Sequence, residues 1–426
     1  MDKGDIKQNM GNDSDVKNKA RNWVVVILFL GWMFACIDRN LMSISMVQVQ
    51  DEFGINATTT GMILSAFFLG CIIIQFPGGI LVDKWGARNV LLVATLVWAI
   101  FTGLTAIVWS VAVLFVVRVL FGFFDGFFPS ASSKSIAETF PLRQRARAKS
   151  FVMIGGTVGS IIAAGAGAPL VAAHGWRTTF FYTALVGLSI FLLYFFGLRR
   201  STAKAAASAA GSAEQKPKIS VKTLLKQRLT WALFFTAVSI QFVNWGVSSW
   251  MPIYLVKARG VDIETMGGLV AVSGVILMII ALVVGYLLDI TAGYEKYYAI
   301  FGGISTAIFL VLLTTASTPI AAVIFQTLAS MGCVCVTFVV LTNPLKRYPV
   351  EAVGTANGII ATGSQIGSFL SPMVMGITID ASGGSFTVGF LLLAGFVLIA
   401  AAAGSQIPVI KGLNKSKKTN VETTVS

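Results

Sequence analysis

Twelve apolar runs, each about 20 residues long, constrain the fold of this chain more than any other feature of its sequence. A helix of about 20 residues spans the ~30 Å hydrocarbon layer of a bilayer. Because the layer offers the backbone no hydrogen-bond partners, such runs fold as helices. The sequence predicts an all-α membrane protein with spans at 23–44, 58–82, 89–108, 110–136, 147–173, 176–198, 229–256, 264–289, 295–315, 318–341, 352–377 and 384–404.

Charged residues are scarce and lie between these runs. They make up 12% of the 426 residues, whereas soluble domains carry about a quarter. The basic excess is spread over short connecting segments rather than one face, which argues against a nucleic-acid partner. The four cysteines lie inside apolar runs and form no ligand cluster with the single histidine, so we expect no metal and no cofactor.

The basic residues also predict the orientation of the chain. With a cytoplasmic N-terminus, 26 of the 32 Lys and Arg residues fall on the cytoplasmic side and three on the outer side. Such an excess marks the cytoplasmic face of a membrane protein. We therefore expect a multi-pass cell-membrane protein with both termini in the cytoplasm. No cleavable signal is expected, because the first apolar run already has span length.

A polar segment rich in Ala, Ser and Lys separates the first six spans from the last six. Its composition cannot build a core, so it is interpreted as a solvated connector. The segment's end could form a basic amphipathic helix on the membrane surface or an ordinary loop. We expect cytoplasmic tails at 1–22 and 405–426, six-helix bundles at 23–198 and 229–404, and a cytoplasmic linker at 199–228.

The two halves also resemble each other weakly in sequence. The segment at 79–83 recurs 206 residues later at 285–289, each time closing the second span of its half. Gly159 and Gly367, 208 residues apart, lie in Gly-rich stretches of spans 5 and 11. A six-plus-six repeat places a substrate site near the membrane midplane, between the halves.

Four charged residues lie at mid-span: Asp38 and Arg39 in span 1, and Arg118 and Asp125 in span 4. Charges at this depth cost a few kcal/mol and are functional candidates by default. Arg118 and Asp125 are seven residues apart, which places them on one helix face. Pro129 cannot donate to the carbonyl of Asp125, which predicts a break in the helix there. The alternative is a structural salt-bridge network that locks helix packing.

The chemistry of these residues suits an anion site coupled to protons. Arginine is always charged and binds a carboxylate through two parallel N–H groups. A carboxyl group in a desolvated site can take up and release a proton near neutral pH. We expect Arg39 and Arg118 to bind the substrate and Asp38 and Asp125 to couple protons, with Asp125 as the first candidate.

The second half offers neutral polar candidates instead. Gln241, Asn244 and Ser248 share one face of span 7, and Gln326 and Gln365 lie in spans 10 and 11. We expect Gln241, Asn244, Ser248 and Gln365 to bind hydroxyls or similar groups of the substrate. The alternative is hydrogen bonding between helices.

The turn after span 2 carries a separate signal. It places Asp83 at a helix end, beside Lys84 and Arg88. A carboxylate there can pair with basic residues or a helix N-terminus and latch one conformation. We expect a conformational latch made of Asp83, Arg88 and Arg145; the alternative is an ordinary turn carrying cytoplasmic positive charges.

The segment GGILVDKWGAR at 78–88 resembles the signature between spans 2 and 3 of the major facilitator superfamily, G-x-L-(a)-D-(rk)-x-G-(rkx)-(rk). More narrowly, the first half resembles the superfamily's anion:cation symporter family. The matching segments are 38–41 (DRNL), 61–88, 118–148 and 174–181, and 250–260 (WMPIYLVKARG) resembles the family's exit from span 7.

This resemblance implies two pseudo-symmetric six-helix bundles and proton-coupled symport of a small organic anion by alternating access. It also implies that Arg39 and Arg118 bind the anion, and that Asp38 and the acid of span 4 are linked to protons. A facilitator or anion exchanger of the same fold remains the alternative. The short loop after span 1 favours a bacterial inner membrane. We expect a monomer with lipid, protons and the anion as partners, and no enzyme activity, because no nucleophile or metal constellation lies at membrane depth.

The chain departs from the family at three places. Asp125 stands where the family usually has Glu, and Ala35-Cys36 stands where an Asn-Tyr pair is common. Ala361 replaces an Asn that is common in span 11. These losses of polar groups favour a smaller or less hydroxylated anion than a sugar acid.

Overall fold

Helices form almost the whole of the computed structural model, which describes residues 3–198, 221–291 and 293–409. The first half contains α1 (Lys3–Phe53), α2 (Ala57–Trp85), α3 (Ala87–Ala106), α4 (Val111–Asp125), α5 (Phe128–Thr139), α6 (Leu142–Ile162) and α7 (Ala168–Gly197). The second half contains α8 (Val221–Leu225), α9 (Arg228–Ile253), α10 (Ile263–Ile290), α11 (Glu295–Thr314), α12 (Pro319–Arg347), α13 (Val350–Ala381) and α14 (Phe386–Gly404). Single π-helical turns, Ala163–Gly167 and Tyr254–Ala258, follow α6 and α9.

The helices account for all twelve predicted spans. Within the described ranges, nine helical segments are long and apolar enough to cross a membrane. One of them, Arg147–Gly197, is 51 residues long and is interrupted at Gly175, whose φ is 79°, so it supplies spans 5 and 6. The more polar helices α9 and α13, of 26 and 32 residues, supply spans 7 and 11.

Two local predictions can be compared with the helix ends. The predicted break in span 4 is confirmed, because α4 ends at Asp125 and α5 begins at Phe128, one residue before Pro129. Span 1, in contrast, was predicted too short: α1 continues to Phe53. It stops where Gly54 adopts a φ of 61°, a conformation that ends helices and is rare for other residues.

The repeat seen in the sequence is also a repeat of packing. A Cβ atom added to Gly159 on α6 would lie 2.3 Å from the carbonyl oxygen of Met33 on α1. A Cβ atom added to Gly367 on α13 would lie 2.1 Å from the carbonyl oxygen of Val238 on α9. Spans 1 and 5 therefore make the same close backbone contact as spans 7 and 11.

The two halves are tied together at one end of the molecule, here called the closed end. Asp380 on α13 accepts hydrogen bonds from the backbone N–H groups of Ala57 (3.1 Å) and Thr58 (2.7 Å), the first residues of α2. An ion pair joins Lys257 to Asp51 at the same end. These contacts hold the two halves together at the closed end.

The opposite end carries Asp83, which pairs with Lys134 of the same half. Between the two ends lies the cavity that contains the candidate site.

Candidate substrate site

The four mid-span charges form two ion pairs, each of which joins α1 to α4. Arg39 Nη2 lies 2.9 Å from Asp125 Oδ2, and Arg118 Nη1 lies 2.7 Å from Asp38 Oδ1. The sequence predicted that these residues act together, and the structure brings them together. Arg118, however, pairs with the acid of α1 rather than with Asp125 on its own helix.

The pair of Arg118 and Asp38 is sealed inside the first bundle. The two side chains are 2% and 0% exposed. Asp38 also accepts a hydrogen bond of 2.6 Å from Thr102, and Arg118 donates to the hydroxyl of Thr105, both on α3. A buried ion pair with such additional hydrogen bonds is expensive to break from one side. This pair therefore fixes α1, α3 and α4 relative to one another.

Both guanidinium groups lie among aromatic rings, those of Phe121 and Phe180 at 5.3 and 5.5 Å in the case of Arg118. The ring centroids around Arg39 lie at 4.2 Å for Phe67, 5.7 Å for Trp32 and 5.3 Å for Trp245, which belongs to the second half. Within the described part of the chain, neither Arg39 Nε nor Asp125 Oδ1 has a hydrogen-bond partner. Arg118 Nε also lacks a partner among the described residues, so the two pairs differ at the carboxylates: both oxygens of Asp38 accept hydrogen bonds, whereas Asp125 accepts through Oδ2.

A cavity of about 420 Å³ lies between the halves and is lined from α1, α6, α9, α10 and α12. Its volume falls in the range of small-molecule sites, about 300 to 1,000 Å³. Arg39 is the one charged residue among the described residues that line it. The polar lining residues are Asn40, Ser43, Thr157, Ser160, Asn244, Ser248, Ser273, Gln326 and Ser330.

Of the six residues predicted to bind substrate, three line this cavity: Arg39, Asn244 and Ser248. Arg118 instead lines a separate cavity of about 20 Å³ that it shares with Arg39. A space of that size holds one water molecule and cannot admit an organic anion.

The two predicted glutamines, Gln241 and Gln365, are not among the cavity-lining residues either. Gln365 Nε2 donates a hydrogen bond of 3.4 Å to Gln75 Oε1, joining α13 to α2. Its observed contact is therefore between helices, which was the alternative interpretation of the polar residues in the second half.

Several lining residues were missed from the sequence. Asn40 directly follows the predicted Asp-Arg pair, and its amide donates to Cys36 O at 2.8 Å and to Ser160 Oγ at 3.0 Å. Its position beside two charges could have identified it. Trp32 and Trp245 gave no such signal, because aromatic side chains also face lipid throughout a chain with 31 Phe and 9 Trp.

The three predicted latch residues do not form one cluster. Asp83 pairs with Lys134 on α5 at 3.2 Å. Arg88 donates to carbonyl groups near the end of α7, and Arg145 donates to carbonyl groups at the end of α5. Each therefore anchors a different helix end within the first half.

Comparisons with known proteins agree on the fold. The profile of the Major Facilitator Superfamily matches residues 28–372. Among solved structures, a bacterial homologue of the human lysosomal transporter Spinster superposes with a TM-score of 0.79 at 16% identity, covering 91% of this chain and 96% of that one. A D-xylose–proton symporter superposes with a TM-score of 0.76 at 16% identity, covering 92% and 98%.

Curated relatives match along most of the chain. A hexuronate transporter of Bacillus subtilis is 26% identical over 396 residues, covering 89% of this chain and 93% of that protein. A probable sulfoacetate transporter of Cupriavidus necator is 27% identical over 420 residues, covering 90% and 93%. A probable L-galactonate transporter of Escherichia coli is 24% identical over 424 residues, covering 94% and 92%.

Proposed function

The chain belongs to the Major Facilitator Superfamily, and from this premise we propose that it carries a small organic anion together with protons by alternating access. The observation that supports the proposal best is the position of Arg39. Its guanidinium lines the cavity between the halves, while one of its N–H groups is bound to Asp125. A cation for the substrate and an acid for the proton thus lie side by side.

The relatives support an organic anion as the cargo. Hexuronate, sulfoacetate and L-galactonate all carry ionised acid groups near neutral pH, and these are the names borne by three similar transporters. A guanidinium is suited to such groups, because its planar fork donates two parallel hydrogen bonds to a carboxylate or sulfonate.

The proposed coupling follows because Asp125 and the substrate anion both interact with Arg39. When Asp125 is ionised, its charge offsets that of Arg39 and weakens the attraction for an anion. When Asp125 takes up a proton, the positive charge of Arg39 is left for the substrate. By linkage, a bound anion then favours protonation of Asp125 as much as the proton favours the anion. Anion and proton therefore move together.

We further propose that the bundles at 23–198 and 229–404 rock about this site, with both termini in the cytoplasm of a bacterial cell. The distribution of basic residues supports this orientation. The closed end then faces the outside, so the described conformation is closed on that side.

Transport into proteoliposomes tests the proposal. Labelled galactonate, glucuronate and short hydroxy acids are offered with a pH gradient, without one, and with a protonophore that collapses it. We expect at least one acid to accumulate only when the gradient is present. Uptake that merely equilibrates under all three conditions would support a facilitator, and uptake that requires an internal anion would support an exchanger.

A further inference from the structure

The walls of the main cavity differ in charge. On the side of the first half lies Arg39, while the other mid-span arginine, Arg118, is buried in its ion pair with Asp38. On the side of the second half, every described lining residue is neutral. One acidic group of a substrate therefore has a cationic partner, and a second acidic group has none.

Two groups on the neutral wall are free to bind. Asn244 and Ser248 lie one turn apart on α9, where residues four positions apart share a face. Both side chains are exposed in the cavity, and neither forms a hydrogen bond with another described residue. Their neighbours are already engaged: Gln326 donates to Ser330 at 3.1 Å, and Ser273 lies 2.8 Å from the hydroxyl of Thr327.

The same helix turn also reaches the charged wall. Trp245, next to Asn244 in sequence, places its ring 5.3 Å from the guanidinium of Arg39 and packs edge-on against Phe68 at 4.8 Å. Arg39 and the free amide and hydroxyl groups are therefore held in one site by α9.

We propose that this site, if the proposed function is correct, selects monoanions: acids with one carboxylate or sulfonate at Arg39 and a neutral hydroxyl or amide at Asn244 and Ser248. A second carboxylate on the neutral wall lacks a cation there, and an uncompensated charge in a partly desolvated site is costly. An uncharged hydroxyl there can donate to and accept from the free amide and hydroxyl. The site thus discriminates against dianions because no cation lies near their second charge.

The relatives alone cannot make this distinction. Hexuronate and L-galactonate carry one acid group, whereas sulfoacetate carries two. By the proposal above, the cavity of this chain suits acids with one acid group.

The test compares acids that have the same carbon skeleton and differ only at one end. Suitable pairs are galactonate with galactarate, 6-hydroxyhexanoate with adipate, and 4-hydroxybutyrate with succinate. Binding to the full-length protein in detergent is measured by calorimetry near neutral pH. In every pair that binds, the monoanion should bind about tenfold more tightly or better, a difference of about 1.4 kcal/mol. A dianion that binds as tightly as its partner would overturn the inference and leave the proposed function standing. The absence of binding by every acid would count against the proposed function itself.

A charge placed on the neutral wall provides the reciprocal test. Ser248→Lys supplies the missing cation and should shift the preference toward the dianion of each pair. Ser248→Gln, a similar enlargement without charge, is the matched control and should keep the preference for monoanions. An unchanged preference in Ser248→Lys, in protein that elutes and melts like the parent, would show that this wall does not contact the second end of the substrate.

Discussion

Arg39 and Arg118 show how the burial and contacts of a side chain determine its role. Both are arginines at membrane depth, and each is paired with an aspartate across α1 and α4. Arg118 also bonds to Thr105 and does not line the large cavity, whereas Arg39 lines it. The first joins α1, α3 and α4, and we propose that the second exchanges its partner for the anion.

We predict that Arg118→Met destabilises the protein, because it leaves the Asp38 carboxylate buried without its cation. Breaking a buried pair from one side costs about 3–5 kcal/mol. Thermal unfolding in detergent should show a clear drop in Tm, and the double variant Asp38→Asn, Arg118→Met should recover part of it. Equal Tm values for the parent and Arg118→Met would refute the structural role.

The four charged residues of the site could be predicted from the sequence. Which arginine pairs with which aspartate could not. Charges inside apolar runs are rare, so Asp38, Arg39, Arg118 and Asp125 stood out. Helical periodicity gives the face on which a residue lies but not the neighbouring helix it meets. For the same reason Gln241, which shares a predicted face with Asn244, was expected in the cavity that it does not line.

At the scale of helices, close approach depends on glycines at particular contacts. Gly159 and Gly367 allow α6 to meet α1, and α13 to meet α9, backbone against backbone. Length and hydropathy sufficed to predict nearly every helix, because the bilayer dictates both. The end of α1 was missed, since its last turns are polar and only the conformation of Gly54 marks the stop.

We predict that Gly159→Ala and Gly367→Ala destabilise the protein by about 1–3 kcal/mol each, as overpacking does. The new Cβ atoms would overlap the carbonyl oxygens of the facing helices. Gly268→Ala on α10 is the matched control, because its Cβ atom would meet no described atom within 4 Å. That variant should melt at or slightly above the parent temperature. A drop in Tm common to all three variants would contradict the packing argument.

At the scale of the whole molecule, the closed end determines which side of the cavity is accessible. Asp380 caps the N-terminus of α2 from the opposite half of the chain, where the helix dipole also favours a negative charge. Burial tends to raise the pKa of Asp380, but hydrogen bonds from Thr58 and Ala57 outweigh it and hold the pKa below its usual range. The bond therefore stabilises the closed end above the ordinary pKa of aspartate and is lost only as the pH falls through the lowered value.

We predict that Asp380→Asn loosens the closed end, because the neutral amide is a weaker acceptor for two backbone N–H groups. In a background without native cysteines, the cysteine of Ser248→Cys should react with a membrane-impermeant thiol reagent added outside. The reaction should be faster when Asp380→Asn is also present. In Ser248→Cys with Asp380 intact, the labelling rate divided by that of the unfolded protein at the same pH, which removes the ionisation of the thiol itself, should be constant from neutral pH down to about 5, above the ordinary aspartate pKa of about 3.9. A steep rise in this ratio within that range would show that protonation of a group other than Asp380 opens the closed end.

The proposed function requires that Asp125 carries a proton during transport. Proton uptake driven by the addition of substrate measures this directly. Adding a transported acid to proteoliposomes without an imposed gradient should make the outer medium more alkaline, because each anion enters with protons. Asp125→Asn imitates the protonated acid permanently, so it should still exchange labelled for unlabelled substrate across the membrane while this alkalinisation disappears. Alkalinisation of undiminished size in Asp125→Asn would contradict the account and move the proton to another group.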